Sequence, residues 1–256
     1  MTSGGTPRVD FVVGGVQKAG TTALASFLGR HPGVVLPQGK EAHVFDAPDF
    51  DDGWDVESVN RLYDAHFSGR APVDALHGDA TPIYLLHPRF VERIGRYNPA
   101  MRWIILLRDP VDRALSQYHM ERSRGHESLP LWGALLAESW RLAGHRDDFE
   151  PGSPLRHHSY RLRGDYAAQL DVLHRVFPPE QILTLRNHEL ARQPAQALAR
   201  VHAFLGLPVD TGDTDYGRVF EGDYSRWPKR GWQRRLLRWW WRHDLARQAR
   251  HGLEWE

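Results

Sequence analysis

Residues 9–28, V-D-F-V-V-G-G-V-Q-K-A-G-T-T-A-L-A-S-F-L, constrain this chain more than any other stretch. Phe11-Val12-Val13 is a short apolar run of the kind that forms a strand buried on both faces. Gly14 and Gly15 break the pattern, and Leu24, Phe27 and Leu28 then recur three and four apart, the period of a helix. A strand, a glycine loop and a helix start aim several backbone N–H groups and the positive end of a helix dipole at one place, which suits a phosphate. Lys18 lies inside the loop, Ala19 and Gly20 complete it, and Thr21 and Thr22 supply hydroxyls at the first turn. An NTPase loop reads G-x-x-x-x-G-K-[ST]. Here Gly15 and Gly20 have that spacing, but the lysine comes two residues before Gly20 and Thr21 takes its place. The loop reads as a phosphate binder outside the NTPase pattern.

Two further stretches carry chemistry. Val34-Val35-Leu36 reads as a second short strand, and Glu41 and His43 follow just beyond its C-terminal end, the edge where ligands gather in a parallel sheet. Met101–Leu107 is a continuous apolar strand that runs into R-D-P-V-D-R-A-L-S-Q-Y. Pro110 suits a first helical turn, with Asp109 as its N-cap. Val111, Leu115 and Tyr118 mark the buried face of that helix, and Arg113 and Ser116 fall on a more open one. Arg108 and Ser116 thus form a second anion site, while Arg113 also reads as one half of an ion pair with Asp109 or Asp112. Two phosphate sites on two strand-to-helix junctions fit a nucleoside carrying phosphates at both ends; ATP leaves the second idle.

These three motifs resemble the sulfotransferases that use PAPS (3′-phosphoadenosine 5′-phosphosulfate), in the heparan-sulfate type and its bacterial relatives. K-A-G-T-T looks like the 5′-phosphosulfate loop, K-E-A-H-V-F-D like the segment that carries the catalytic base, and R-D-P-x-x-R-x-x-S-x-Y like the 3′-phosphate segment. The resemblance implies an α/β, P-loop-like three-layer fold with a central parallel sheet and helices on both faces. It also implies an enzyme moving a sulfuryl group from PAPS to a hydroxyl, less readily an amine, of a small-molecule, glycan or lipid acceptor, with PAP as product. Lys18 and residues 19–22 would hold the phosphosulfate, Glu41 would be the base, and His43 would orient it or the acceptor. Arg108 and Ser116 would hold the 3′-phosphate, and Lys229 and Arg230 are the counterparts of a late basic loop. The sequence departs from the pattern at Val44 and at Ala80, where relatives often carry a lysine within E-K-T-P. His77 is a second possible base. No metal is implied.

Length and charge fit this frame. A chain of 256 residues accommodates a single domain, 1–256, with ample core. It would carry a variable insertion near 123–158 and a basic Arg/Trp-rich segment at 225–256. Cysteine is absent, which excludes disulfides and thiolate metal sites. Neither a leader-like start nor a run of about 20 apolar residues is present, so the expectation is a cytoplasmic protein without stable membrane insertion. Residues 225–250 hold nine Lys/Arg and one acid, leaving 24 bases against 31 acids elsewhere. That local excess argues against a nucleic-acid binder, which is basic throughout. Trp239-Trp240-Trp241 reads as a helix packing its indoles on the body with arginines outward, or as an interfacial membrane helix. Two rival functions remain: a P-loop-like kinase or NTPase using Asp79 for Mg²⁺, and a non-catalytic protein docking to anionic membrane. Oligomeric state is not specified.

Overall fold

The computed structural model describes residues 6–67, 72, 74–208, 231–250 and 252–255. Lys229 and Arg230 lie outside them. Five strands, β1 (Phe11–Gly15), β2 (Val34–Val35), β3 (Leu76–Asp79), β4 (Arg102–Leu107) and β5 (Ile182–Arg186), form one sheet in the order β2-β3-β1-β4-β5. Every pairing is parallel. Successive residues of a strand point to opposite faces, yet all of β1 and all but the first residue of β4 are buried, so both faces are covered. The fold is the expected three-layer α/β arrangement.

The helices are α1 (Thr21–Leu28), α2 (Val56–Asp64), α3 (Pro88–Tyr97), α4 (Pro110–Ser123), α5 (Leu131–Arg141), α6 (Pro154–His157), α7 (Tyr166–Val176), α8 (Asn187–Arg192), α9 (Pro194–Leu205), α10 (Gly231–Trp240) and α11 (Arg242–Arg250). Residues 46–75, where the sequence pattern allows one helix or two, hold α2 alone among the described residues. The chain divides into two compact units, residues 1–107 with 172–220, and residues 108–171 with 221–256.

The first unit contains the whole sheet. Gly14 and Gly15 do not end β1 but extend it. A Cβ on Gly14 would lie 2.4 Å from the Trp103 ring, so the bare glycine makes room for the largest side chain of β4. The chain leaves β1 toward β2 and β3, and β4 lies on the opposite side of β1. The order therefore reverses between β1 and β4, the position where open parallel sheets bind ligands at their C-terminal edge.

The second unit is helical. Asp109 caps α4, accepting from the amides of Val111 at 2.9 Å and Asp112 at 3.0 Å, as its sequence predicts. Arg113 and Ser116 are not on an open face: both are buried. Arg113 donates to Gln117 Oε1 at 2.9 Å and to the Tyr160 carbonyl. Asp109 and Asp112 pair instead with Arg238 and Arg234 of α10. Four-residue spacing on α4 brings Gln117 under Arg113, which helical periodicity of apolar residues alone does not reveal. Arg247 of α11 reaches Asp165 at 2.7 Å, and Gln248 donates to the Gly164 carbonyl at 2.7 Å.

The tryptophan run divides three ways. Trp241 is buried with Leu237 against Val111, Ala114, Tyr118 and Tyr160, Trp240 is half-buried, and Trp239 is exposed. Consecutive helical residues lie about 100° apart, so three in a row cannot share one face. Trp241→Ser should therefore destabilise the protein by about 3–5 kcal/mol in a denaturant titration. Trp239→Ser should stay within about 0.5 kcal/mol of the parent.

Candidate active site

The glycine loop closes β1 onto α1. The amide of Val16 donates to the Leu106 carbonyl at 2.9 Å, and that of Ala19 to the Val16 carbonyl at 3.1 Å. Lys18 and Gly20 both take left-handed backbone conformations, φ 73° and 102°, so the loop turns sharply before the helix. Gly20 is the N-cap of α1 with no side-chain cap, which leaves the first-turn amides to a ligand or water. Asn187 of α8 braces the loop by donating to the Ala19 carbonyl at 2.7 Å. Sequence reading missed Asn187, because nothing in its own segment signals a contact 168 residues away. Thr21 is buried and Thr22 exposed.

The Glu41 loop is shaped by β3. Asp79, fully buried, accepts from Thr81 Oγ1 at 2.6 Å, Tyr84 OH at 2.7 Å, Tyr63 OH at 2.9 Å and the amide of Ala42 at 3.2 Å. The Thr81 hydroxyl accepts in turn from the Ala42 and His43 amides, and Tyr84 OH from that of Val44. The Ala80 amide donates to the Lys40 carbonyl at 3.0 Å. Burial drives the Asp79 carboxyl up, and its four donors only partly counter that. An acid committed in this way is not available to a magnesium ion, which removes the residue the kinase reading relied on.

On this support four charged side chains form a chain. Lys40 pairs with Glu41 and lies 3.5 Å from the Ala80 carbonyl. His43 Nε2 is 3.0 Å from Glu41 Oε2, and its Nδ1 is 2.9 Å from buried Asp46. Lys40 and His43 adopt left-handed backbones, φ 69° and 54°, and both side chains pair with Glu41. Burial pushes Glu41 up, but the His43 hydrogen bond and the Lys40 ammonium outweigh it and hold the carboxyl below its ordinary range. Burial alone would favour neutral His43; its bonds to Asp46 and Glu41 prevail and raise it to about 10. A resting site of this kind holds an ionised carboxylate between two cations.

The other expected positions divide. His77 packs edge-on against Phe67, ring centroids 5.0 Å apart, and burial lowers its basicity. Arg108 follows β4 directly, and its carbonyl accepts from Tyr166 OH at 2.8 Å. Ser116 lies on α4, and both it and Arg108 belong to the second unit. In the same unit Glu121, His126 and His157 bring possible ligand atoms within 4.8 Å of one another. Both ring nitrogens of His157 are already engaged, with Glu121 at 2.9 Å and the Pro151 carbonyl at 2.8 Å.

The glycine loop at the end of β1 and the Glu41 loop beyond β2 both stand at the C-terminal edge of the parallel sheet. The sulfotransferase domain profile matches residues 8–216, and the chain belongs to that family. It is 31% identical over 198 residues to human heparan sulfate glucosamine 3-O-sulfotransferase 3B1, covering 77% of this chain and 45% of that protein. Against heparan sulfate glucosamine 3-O-sulfotransferase 6 of Mus musculus it is 32% identical over 200 residues, 75% and 51% of the two. The chain thus spans about half the length of the curated relatives it matches. A solved sulfotransferase from Alicyclobacillus acidocaldarius superposes with a TM-score of 0.72 at 30% identity, over 94% of each chain.

The charge chain is open to direct measurement. In a ring-proton NMR titration of the folded protein, His43 should remain an imidazolium at neutral pH and titrate near 10. Glu41→Gln and Asp46→Asn should each lower that midpoint. Because the folded value lies above the unfolded one, the stability this histidine contributes is complete below about pH 6.5 and lost as pH rises through 10. A midpoint near that of a free histidine would mean that the bridge does not form.

Proposed function

We propose that this protein transfers a sulfuryl group from PAPS to a hydroxyl of a small-molecule, glycan or lipid acceptor, releasing PAP. The observation that carries the reading is the Lys40–Glu41–His43–Asp46 chain at the C-terminal edge of the sheet that also bears the Lys18 loop. PAPS, when bound, supplies an activated sulfuryl group and a phosphate leaving group; the protein must position both, neutralise developing charge and remove the acceptor's proton.

Lys18, with the amides of residues 19–22, holds the 5′-phosphosulfate and stabilises negative charge on the departing phosphate. Glu41 accepts the acceptor hydroxyl's proton at a carboxylate oxygen. A carboxylate held below its ordinary range is a weaker base but stays ionised over a wide pH span, and exchanging its Lys40 contact for the acceptor restores basicity where it is used. Lys40 also offers a cation beside Ala80, where the resembled enzymes often carry a lysine of their own. His43, anchored by Asp46, keeps Glu41 oriented. Arg108 and Ser116 would hold the 3′-phosphate, which selects PAPS over ATP, with Lys229 and Arg230, outside the described residues, as further candidates for it. The helical segment at 123–158 shapes acceptor choice. Glycan is the acceptor class favoured by the 3-O-sulfotransferase relatives, whose names specify heparan sulfate glucosamine.

Mutant kinetics separate these roles. Glu41→Gln should lower kcat by about 10²–10⁴, the usual worth of a positioned base, with PAP affinity little changed. Lys18→Ala should damage both nucleotide binding and turnover, since it touches the phosphosulfate in ground and transition states. Arg108→Ala should weaken PAP far more than adenosine 5′-phosphosulfate; equal losses would remove Arg108 from the 3′-site.

The pH–rate profile distinguishes the two candidate bases. With Glu41 as base, kcat/KM should be flat through neutrality and fall only as pH drops through its lowered value. Lys40→Ala should move that acid limb upward. If neutral His43 were the base, activity would instead rise across the neutral range toward pH 10.

A further inference from the structure

The second unit has an apolar surface that its own core does not require. Helices α5 and α10 already bury one face each, with Ala134, Leu135, Leu237 and Trp241 packed among Val111, Ala114, Tyr118 and Tyr160. Their outer faces carry large apolar side chains at helical spacing, Leu136 and Trp140 on α5, beginning from Trp132, which is half-buried against that core, and Trp232, Leu236 and Trp239 on α10. The Trp132 and Trp232 rings stack with centroids 6.2 Å apart, which joins the two stripes into one patch. Trp140 is 80% exposed, Leu136 68% and Trp239 63%. Of the six large hydrophobic side chains exposed among the described residues, five lie on this patch; Trp54 is the other.

The exposed charge on these two helices has one sign. Arg235 is exposed on α10 beside Leu236 and one turn before Trp239, and the Arg242 guanidinium lies 4.9 Å from the Trp239 ring centroid. None of the exposed residues on α5 and α10 is acidic. Several acids near these helices are drawn into pairs: Asp109 and Asp112 hold Arg238 and Arg234, Asp244 holds Arg161, and Glu138 accepts from the Arg161 and Leu162 amides, while Glu254 beside Arg238 is exposed.

We propose that this surface seats the protein on an anionic lipid bilayer, with the indoles and leucines entering the headgroup–acyl boundary and Arg235 and Arg242 meeting lipid phosphates. Tryptophan with flanking arginine is the side-chain pairing that suits that boundary, apolar on one side and negatively charged on the other. A second copy of this chain is a poorer occupant, because two-fold pairing would set the same arginines face to face. The seat is peripheral: no helix among the described residues is long and apolar enough to cross a membrane. The proposal does not depend on the transfer chemistry, and its test reads no activity.

The test is co-sedimentation of the full chain with phosphatidylcholine vesicles, with and without phosphatidylglycerol. Binding should require the anionic lipid and weaken with added salt. The double variants Trp140→Ser/Trp239→Ser and Arg235→Glu/Arg242→Glu should each weaken binding by about ten-fold or more. Both should melt at the parent temperature, since the four side chains are exposed. Absence of binding to the anionic vesicles, equal binding to neutral ones, or unchanged binding by both variants overturns the proposal. So does a concentration-dependent dimer in analytical ultracentrifugation that Trp140→Ser/Trp239→Ser abolishes, which would give the patch to a second copy.

Discussion

A carboxylate with no access to water sets the geometry of the candidate site. Asp79 ends β3, and its four donors come from α2, from the two turns that follow β3 and from the loop that carries Glu41. A buried charge left unpaired costs several kcal/mol, so the donors and the acid fix one another. The result is a rigid floor beneath residues 40–44. Arg93 of α3 supports the next turn in the same manner, donating to the Phe45 carbonyl at 2.8 Å and to Asp52 at 2.9 Å. Neither residue need touch a substrate; both hold the loop in the shape that the charge chain requires.

That charge chain balances three influences on one carboxylate. Burial favours the neutral acid, while Lys40 and His43 favour the anion, and the cations prevail. His43 in turn is kept charged by two acids, one of them fully buried Asp46. The site therefore stores its ionisation in a network, not in any single residue. Lys40 gains its place through a left-handed backbone and a hydrogen bond between its carbonyl and the Ala80 amide.

The helical unit shows a related economy. Asp109 both caps α4 and anchors Arg238 of α10, so the residue that starts one helix also docks another. Arg113 is held by an amide oxygen and a backbone carbonyl, with no acid among its hydrogen-bond partners, and its buried Nε is left without one. With the inner faces so fixed, Trp140 of α5 and Trp232, Arg235 and Trp239 of α10 remain exposed.

Strand, loop and helix alternation was legible in the chain itself, because apolar periodicity and glycine placement act within a few residues of one another. Phe11–Val13 and Met101–Leu107 both stand within a residue or two of where pattern puts them, and Pro110 opens the helix its position suggests. The motifs around Lys18, Glu41 and Arg108 were likewise readable, since each is a local spacing. Tertiary structure alone decided which side chains complete them. Asn187 on the glycine loop, Tyr63 on Asp79 and Lys40 beside Ala80 join segments 16 to 168 residues apart. It also decided that Arg113 and Ser116 are buried and that three adjacent tryptophans divide between core and surface. A sequence specifies periodicity along one element; which face is covered, and by what charge, depends on the neighbouring element that arrives there.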